Sequence, residues 1–287
     1  MIDAPALLDA ATRFGLDATD ARLLTAGTRN RSVLIAGHAV LTFVFHRQRA
    51  EIEQLLAAAR LARTRGLIAP RYRQQYFPVG TGFGPAWVIA SDYLPGTCGS
   101  LRPAAPAQLG ANLARLHRHG PAPARWQPRM TSLETRLADF GALPEALAAC
   151  VQSALLIERS GLLDFTENSF GHFDLFPDNT LLQPDGTLAM TDWETAGPGC
   201  ALLDLAICAV GHRPVAAPDC ESWLQALLDG YATTGGEHSW SCAELATAMR
   251  WAATSLALER YRMFDLARRP FGRAGSYATL LPLARAS

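Results

Sequence analysis

The pattern of apolar and polar positions divides the chain into two parts, and the first part is β-rich. The runs SVLIAG (residues 32–37) and AVLTFVF (39–45) are β-branched and aromatic, and a single corner residue separates them, which predicts a β-hairpin. RYRQQYF (71–77) and AWVIASDYL (86–94) predict two further strands. The segment between them, PVGTGFG (78–84), predicts a surface hairpin turn and not a phosphate-binding loop, because no helix follows it.

One helix is expected inside this first part. In EIEQLLAAARLARTRG, the residues Ile52, Leu55, Leu56 and Ala59 recur at the three- and four-residue spacing of one helix face. Gly66 stands where the C-terminus of that helix is expected. The first part is therefore predicted to be a small β-rich lobe that contains this helix.

Helical spacing dominates after the tetrapeptide YLPG. AQLGANLARLHRHG places Leu109, Leu113 and Leu116 on one helix face. Its two histidines, His117 and His119, lie near the C-terminal end, where basic groups are favourable. We expect these histidines to be solvated rather than to bind a metal.

Two capping-box patterns predict further helix starts in the second part. Thr131 with Glu134 precedes a short apolar helix, and Ser241 with Glu244 precedes a long segment that extends to about Met263. In a capping box, the serine or threonine side chain and the glutamate side chain bind each other's backbone N–H groups. These residues are therefore expected to begin two helices.

The predicted organisation is α+β and bilobal. A small antiparallel β-rich lobe is expected over residues 1–93, and a larger, mainly helical lobe over residues 94–287. A hinge between them is expected near residues 91–96. The one β-like interruption of the second lobe is the stretch from residue 171 to residue 194.

Composition narrows the class of protein. The chain has 287 residues, of which 49% are hydrophobic and 18% are charged, values typical of a globular enzyme. Its formal net charge is zero, which argues against a nucleic-acid-binding protein.

The N-terminal stretch lacks a signal-peptide pattern, and no apolar run is long enough to span a membrane. The six cysteines include no CxxC pair, which favours idle thiols in the cytoplasm over zinc ligands or disulfides.

The stretch GHFDLFPDNTLLQPDGTLAMTDWE carries the candidate chemistry. Two short apolar runs flank QPDGT, a turn in which Pro184 presets φ and Gly186 accepts a positive φ. A two-residue turn places Asn179 opposite Asp192, and a three-residue loop shifts that register by one. In either case the two residues are expected to be cross-strand neighbours, about 4.5–5.5 Å apart between Cα atoms. An amide oxygen beside a carboxylate suits Mg²⁺.

Asp174 lies on a loop five residues before Asn179, and the following Phe-Pro step disfavours a helix there. A carboxylate beside a metal–phosphate site can accept the proton of an attacking hydroxyl group. Taken singly, Asp174 is also a common turn former and Asn179 a common strand-end cap. Their combination with the hairpin and with Asp192 favours a phosphoryl-transfer site.

These residues carry a family resemblance. The order His172-x-Asp174-x-x-x-x-Asn179, followed by Asp192-Trp-Glu194, resembles the signature of the aminoglycoside phosphotransferase superfamily, which has a protein-kinase-like fold. The segments HFDLFPDN, LLDLAICAV and VLTFVF are similar to the homoserine kinase and small-molecule antibiotic kinase branch of that superfamily. The resemblance covers most of residues 23–265.

The resemblance implies a role for individual residues. Asp174 would be the catalytic base, while Asn179 and Asp192 would hold Mg²⁺. His172 and Asp204 would be structural, with Asp204 anchoring the loop backbone from a helix start. Glu194 would face the substrate, although a solvated or structural role is as plausible from the sequence. ATP or GTP would be bound by a set of residues in the first lobe and hinge: Gly27, Thr28, Arg29, Asn30, Thr42, Ser91, Asp92, Tyr93 and Leu94.

The chain departs from the usual kinase pattern at Thr42. Kinases of this fold place a lysine there, paired with a helix glutamate, to hold the α- and β-phosphates. This chain contains no lysine, and all 26 of its Lys or Arg positions are arginines. The candidate substitutes for the missing cation are Arg29, Arg31 and Arg47, and the candidate glutamates are Glu51 and Glu53. A guanidinium group is not a simple substitute for an ammonium group.

The function expected from the resemblance is phosphoryl transfer from ATP or GTP to a hydroxyl group of a small molecule. The protein is expected to be a cytoplasmic monomer or homodimer. No nucleic-acid or membrane partner is expected. An antibiotic acceptor is expected first, and a homoserine-type metabolite is the alternative. The segment TAGPGCALLDLA after Glu194 is almost neutral, which favours a neutral or zwitterionic acceptor over a polycation. A nucleotide-binding pseudokinase is the non-enzymatic alternative.

Overall fold

The computed structural model of the chain describes most of the sequence. The described residues are 3–24, 30–99, 101, 104–118, 123, 126, 130–166, 169–212, 220–236, 239–267 and 275–285. The first helix, α1, covers Ala4–Arg13, and the side chain of Asp3 caps it by accepting the N–H of Ala6. Among these residues, no helix has the length and apolar character needed to cross a bilayer.

A five-stranded antiparallel sheet follows α1. Its strands are β1 (Arg22–Leu23), β2 (Arg31–Ile35), β3 (Ala39–Phe45), β4 (Tyr72–Thr81) and β5 (Gly84–Asp92), in the spatial order β1-β2-β3-β5-β4. Both predicted hairpins are confirmed, since β2 pairs with β3 and β4 pairs with β5. Gly84, at the β4–β5 turn, has a φ of 103°, a conformation that glycine adopts without steric cost.

The helix predicted within the first part is α2 (Arg49–Thr64). Ile52, Leu55 and Ala59 are buried on one face, as their spacing predicts. Glu51 closes a capping box with Gln48 at the helix start. The chain leaves the helix through Gly66, whose φ is 80°.

The second part is mainly helical. Its helices are α3 (Pro106–His117), α4 (Leu133–Leu137), α5 (Glu145–Arg159), α6 (Ala201–His212), α7 (Cys220–Thr233), α8 (Cys242–Arg260) and α9 (Leu281–Arg285). A π-helix, Tyr261–Leu266, continues α8, and a 3₁₀ turn, Tyr277–Leu280, precedes α9.

One of the two predicted capping boxes is present. Ser241 and Glu244 form the box that begins α8. The box predicted at Thr131 is wrong, because Ser132 is the residue directly before α4 and its side chain accepts the N–H of Thr135. The capping oxygen must come from the residue that immediately precedes the first helical turn.

Short strands cross the helical part. They are β6 (Thr97–Cys98), β7 (Ser169–Gly171), β8 (Thr180–Leu182), β9 (Leu188–Met190) and β10 (Gly197–Gly199). β6, β8 and β9 form one small antiparallel sheet, and β7 pairs with β10.

Two main hydrophobic cores stabilise these helices and strands. The smaller core lies between α1 and the five-stranded sheet and includes Phe14, Leu41 and Val88. The larger core joins the helices of the second part, and the C-terminal half of α2 packs into it through Ala58 and Ala62. The predicted α+β architecture is confirmed, and the boundary between residues 93 and 94 stays a prediction.

Candidate active site

The 172–179 loop, which connects β7 to β8, is folded around a buried phenylalanine. Phe173 has a φ of 56°, in the left-handed region. Its ring lies against two glycines: an added Cβ would be 2.6 Å from the ring at Gly171 and 2.5 Å from it at Gly199. Larger residues at these two positions would push the ring out, so the glycines fix the path of the loop.

Asp204, in the first turn of α6, holds the backbone of this loop. Its fully buried carboxylate accepts the N–H of His172 and the N–H of Phe173, each at 2.7 Å. Burial acts to raise the pKa of this carboxyl group, but hydrogen bonding and charge from His117 outweigh it, so the pKa is lowered below its usual value. A charged carboxylate with two backbone donors gives the loop one preferred conformation.

The expectation that His117 is solvated is wrong. The residue is 2% exposed, and its Nε2 lies 3.1 Å from Asp204 Oδ2 while its Nδ1 lies 3.2 Å from the hydroxyl oxygen of Tyr231. Close packing of α3 on α7 explains the burial, since a Cβ at Gly110 would lie 1.9 Å from the carbonyl oxygen of Leu227. His119 lies outside the described residues.

Asp174 and Asn179 face each other across the loop. The Asn179 side-chain nitrogen donates to the backbone oxygen of Asp174 at 2.7 Å and to its carboxylate oxygen Oδ2 at 3.1 Å. Asn179 is placed for this by the 3₁₀ turn Pro177–Asn179. Because its nitrogen is used on Asp174, its side-chain oxygen is the atom left to bind a cation.

The β8–β9 hairpin has the three-residue loop, the second of the two predicted registers. Thr180 pairs with Met190, and the N–H of Thr191 donates to the carbonyl oxygen of Asn179 at 2.9 Å. Thr191 therefore lies opposite Asn179 and Asp192 is the next residue, which is the shift by one that the three-residue loop predicts. Gly186, with a φ of 84°, closes the loop at the position that requires a left-handed residue.

Asp192 itself adopts a left-handed conformation, with φ 58° and ψ 66°. Non-glycine residues in this region are strained and concentrate at functional sites. The preceding residue is tied to the 172–179 loop, since the buried ring of His172 reaches the carbonyl oxygen of Thr191 with its Nε2 at 2.9 Å. Burial lowers the pKa of His172, which favours the neutral form of this ring.

Glu194 lies on the side of the site nearer the five-stranded sheet. Its side chain is 10% exposed, and its Oε2 accepts a hydrogen bond from the Asn30 side-chain nitrogen at 3.2 Å and lies 3.5 Å from Arg47 Nη2. Arg47 Nη1 is 2.7 Å from Glu51 Oε1. Burial raises the pKa of Tyr72, and the charges of Asp192 and Glu194 raise it further.

The remaining predicted residues lie along the sheet. The side-chain oxygens of Thr42 and Ser32 are 3.0 Å apart on the paired strands β3 and β2. Ser91 is buried at the end of β5. The N–H of Asp92 donates to the carbonyl oxygen of Arg71, and the N–H of Tyr93 to that of His38. Leu94 is partly buried, and Gly27, Thr28 and Arg29 lie outside the described residues.

The first comparison with known proteins is at the level of sequence. A family model described as the phosphotransferase enzyme family, APH, matches residues 20–245. A search of curated protein sequences found no match.

Solved structures resemble the chain over nearly its whole length. A choline/ethanolamine kinase family protein from Mesorhizobium loti is 20% identical, with 97% of this chain and 90% of that chain covered and a TM-score of 0.68. The macrolide 2′-phosphotransferase MphH from Brachybacterium faecium is 22% identical, with 99% and 98% covered and a TM-score of 0.63. The amicoumacin kinase hAmiN is 14% identical, with 98% and 92% covered and a TM-score of 0.70. The predicted bilobal, kinase-like fold is thereby confirmed.

Proposed function

The chain belongs to the phosphotransferase enzyme family, and from this premise we propose that it transfers the γ-phosphoryl group of ATP or GTP to a hydroxyl group of a small molecule. One observation carries the proposal. Asp174 and Asn179 are joined by side-chain hydrogen bonds on a loop whose backbone is fixed by a buried carboxylate. Phosphoryl transfer needs an oriented nucleophile and fixed charges, and this arrangement supports both.

Asp174 is the proposed base. One hydrogen bond from Asn179 reaches the carboxylate and the other reaches the backbone oxygen of the same residue, so together they orient Asp174. A partly exposed carboxylate on a fixed loop can accept the proton of an incoming hydroxyl group. His172, Phe173 and Asp204 then act as positioning residues. The carboxylate of Asp204 holds the backbone of the other two, and the ring of His172 reaches the residue before Asp192.

The donor set fits a divalent cation. The side-chain oxygen of Asn179 and the carboxylate of Asp192 are hard oxygen ligands at the two ends of the β8–β9 hairpin, and we propose that they hold Mg²⁺. When bound, Mg²⁺ would neutralise charge on the β- and γ-phosphates of the nucleotide.

The nucleotide is proposed to lie between the five-stranded sheet and the 172–179 loop. Backbone groups of Ser91, Asp92, Tyr93 and Leu94 would bind the base, and the segment 27–30 would cover the phosphates. The support for this placement is that Asn30, the described end of that segment, already reaches Glu194, two residues beyond Asp192.

One residue gives information on the charge of the small molecule that accepts the phosphoryl group. Arg260, at the end of α8, is close enough to Asp174 for the carboxylate to act on its pKa, which burial lowers and Asp174 raises. A cation whose charge interacts with that of the proposed base disfavours a polycationic acceptor. This supports a neutral or zwitterionic acceptor, either an uncharged antibiotic or a homoserine-type metabolite.

The test is a phosphorylation panel. The protein would be incubated with Mg²⁺ and ATP, or with GTP in parallel, against homoserine, choline, aminopropanol, aminoglycosides, macrolides, spectinomycin and nucleoside antibiotics. Mass spectrometry would detect the gain of one phosphoryl group. We expect one neutral or zwitterionic member to be phosphorylated.

Two other outcomes are informative. Phosphorylation of aminoglycosides alone would contradict the argument from Arg260 and keep the kinase proposal. Mg-nucleotide binding without phosphorylation of any member would favour the pseudokinase alternative.

A further inference from the structure

We infer that Arg47 binds the phosphates of the nucleotide in place of the absent lysine, an inference that rests on the proposed function. Thr42 occupies the position of the usual lysine, in β3. Arg47 lies five positions after it, just beyond the end of that strand. Its backbone oxygen accepts the indole N–H of Trp87 at 3.0 Å, which fixes the start of its side chain.

The guanidinium group of Arg47 contacts two other elements of the fold. Nη1 is 2.7 Å from Glu51, in the first turn of α2, and Nη2 is 3.5 Å from Glu194, which follows Asp192. Asn30 shares the same Glu194 oxygen at 3.2 Å. We call Asn30, Arg47, Glu51 and Glu194 the nucleotide-side cluster. It lies where the proposed phosphate-covering segment meets the proposed metal-binding turn.

The pairing of Arg47 with Glu51 reproduces the function of a lysine–glutamate pair with different residues. The helix glutamate fixes one end of the cation through the short contact, while the 3.5 Å contact to Glu194 is long for a charge-assisted hydrogen bond. A phosphate oxygen can share or replace that longer contact. A guanidinium group has five N–H donors, and the two carboxylates engage only some of them.

The two neighbouring arginines are less suitable. Arg31 Nη1 donates a hydrogen bond to the backbone oxygen of the preceding residue, Asn30, at 3.3 Å. Arg49 also forms a pair with a glutamate four residues later, Glu53, but its side chain is 71% exposed, against 19% for Arg47. Within the described part of the chain, Arg47 is the arginine that contacts both a glutamate of α2 and Glu194.

The test compares phosphate-dependent with phosphate-independent binding. Arg47→Gln removes the charge and leaves a polar but shorter side chain, Arg47→Lys restores a cation, and Arg49→Gln is the matched control. Calorimetry would measure the dissociation constants of the Mg-nucleotide and of its nucleoside. We expect Arg47→Gln to weaken Mg-nucleotide binding on the order of 10- to 100-fold and to leave nucleoside binding unchanged.

The controls separate the alternatives. Arg47→Lys should recover part of the lost affinity, and Arg49→Gln should match the parent. Equal losses for nucleotide and nucleoside, or no loss in Arg47→Gln, would overturn the inference. A parent protein that binds Mg-nucleotide but phosphorylates nothing would contradict the proposed function alone. A parent that binds no nucleotide would contradict both.

Discussion

The 172–179 loop and the nucleotide-side cluster are stabilised in different ways. The loop backbone is fixed by the fully buried Asp204, and glycines hold the ring of Phe173. The nucleotide-side cluster is held by partly exposed ion pairs, of which one is 3.5 Å long. Buried, hydrogen-bonded charges specify one geometry, whereas exposed pairs contribute little stability and can exchange partners. The proposed base is therefore rigidly placed, while the proposed phosphate-binding side can adjust to a ligand.

The largest loss of stability is expected for Asp204→Asn. An asparagine offers one oxygen where the carboxylate serves two backbone N–H groups, so one buried donor is left without an acceptor. We expect the free energy of unfolding to fall by roughly 3 kcal/mol, as measured by urea denaturation. Asp185→Asn, in the exposed β8–β9 turn, is the control and should be near neutral. Equal effects in the two variants would contradict the buried anchor.

A pH-dependent loss of stability of similar size is expected from His212, which lies near the backbone of the 172–179 loop. Burial lowers its pKa to about 4 from an ordinary value of 6.5, while the backbone of Leu175 and Phe176 acts in the opposite sense. The unfolded chain takes up a proton near pH 6.5 that the folded protein takes up only near pH 4. Stability should therefore fall as the pH falls through this window, by about 3 kcal/mol in total.

His212→Phe should remove this part of the pH dependence. Urea denaturation at several pH values between 6.5 and 4 would measure it, with the exposed His38→Gln as the control. A slope that is the same in His212→Phe and in the parent would mean that the acid sensitivity arises elsewhere.

The packing around Phe173 should be the next most sensitive feature. Gly171→Ala places a Cβ 2.6 Å from the ring, and either the ring or the loop must move. We expect a stability loss of roughly 1–3 kcal/mol together with a loss of turnover. Gly80→Ala, where no atom lies within 4 Å of the added Cβ, should change neither quantity.

The smallest stability effect is expected in the nucleotide-side cluster. Glu51→Gln removes the shorter ion pair of Arg47, and because this pair is partly exposed we expect a loss of about 1 kcal/mol or less. Glu53→Gln is the matched control on the same helix. If Glu51→Gln destabilised the protein as strongly as Asp204→Asn, the two regions would not differ in the way described.

Local sequence patterns predicted much of this structure because the interactions that they encode are local. The hairpins follow from turn residues, α2 from its apolar spacing, and the start of α8 from its capping box. The same reasoning placed Asn179 and Asp192 at the ends of one hairpin, although it left the loop length open.

Features that depend on distant contacts could not be predicted in this way. His117 pairs with a carboxylate 87 residues away, and Glu194 is bound by a residue 164 positions away. The left-handed conformation of Phe173 carries no composition signal, and that of Asp192 carries only a weak one, because aspartate adopts it occasionally. One indication was present for α3: Gly110 lies within its apolar face and allows the close helix contact.

The central claim is that Asp174 accepts the proton during phosphoryl transfer. The direct measurement is the turnover rate of Asp174→Asn with the acceptor found in the panel, beside Asp178→Asn, an exposed aspartate of the same loop. We expect Asp174→Asn to lose on the order of 100- to 10,000-fold in turnover while binding Mg-nucleotide as the parent does. Asp178→Asn should keep the parent rate. Phosphorylation by Asp174→Asn at a rate near that of the parent would contradict the account.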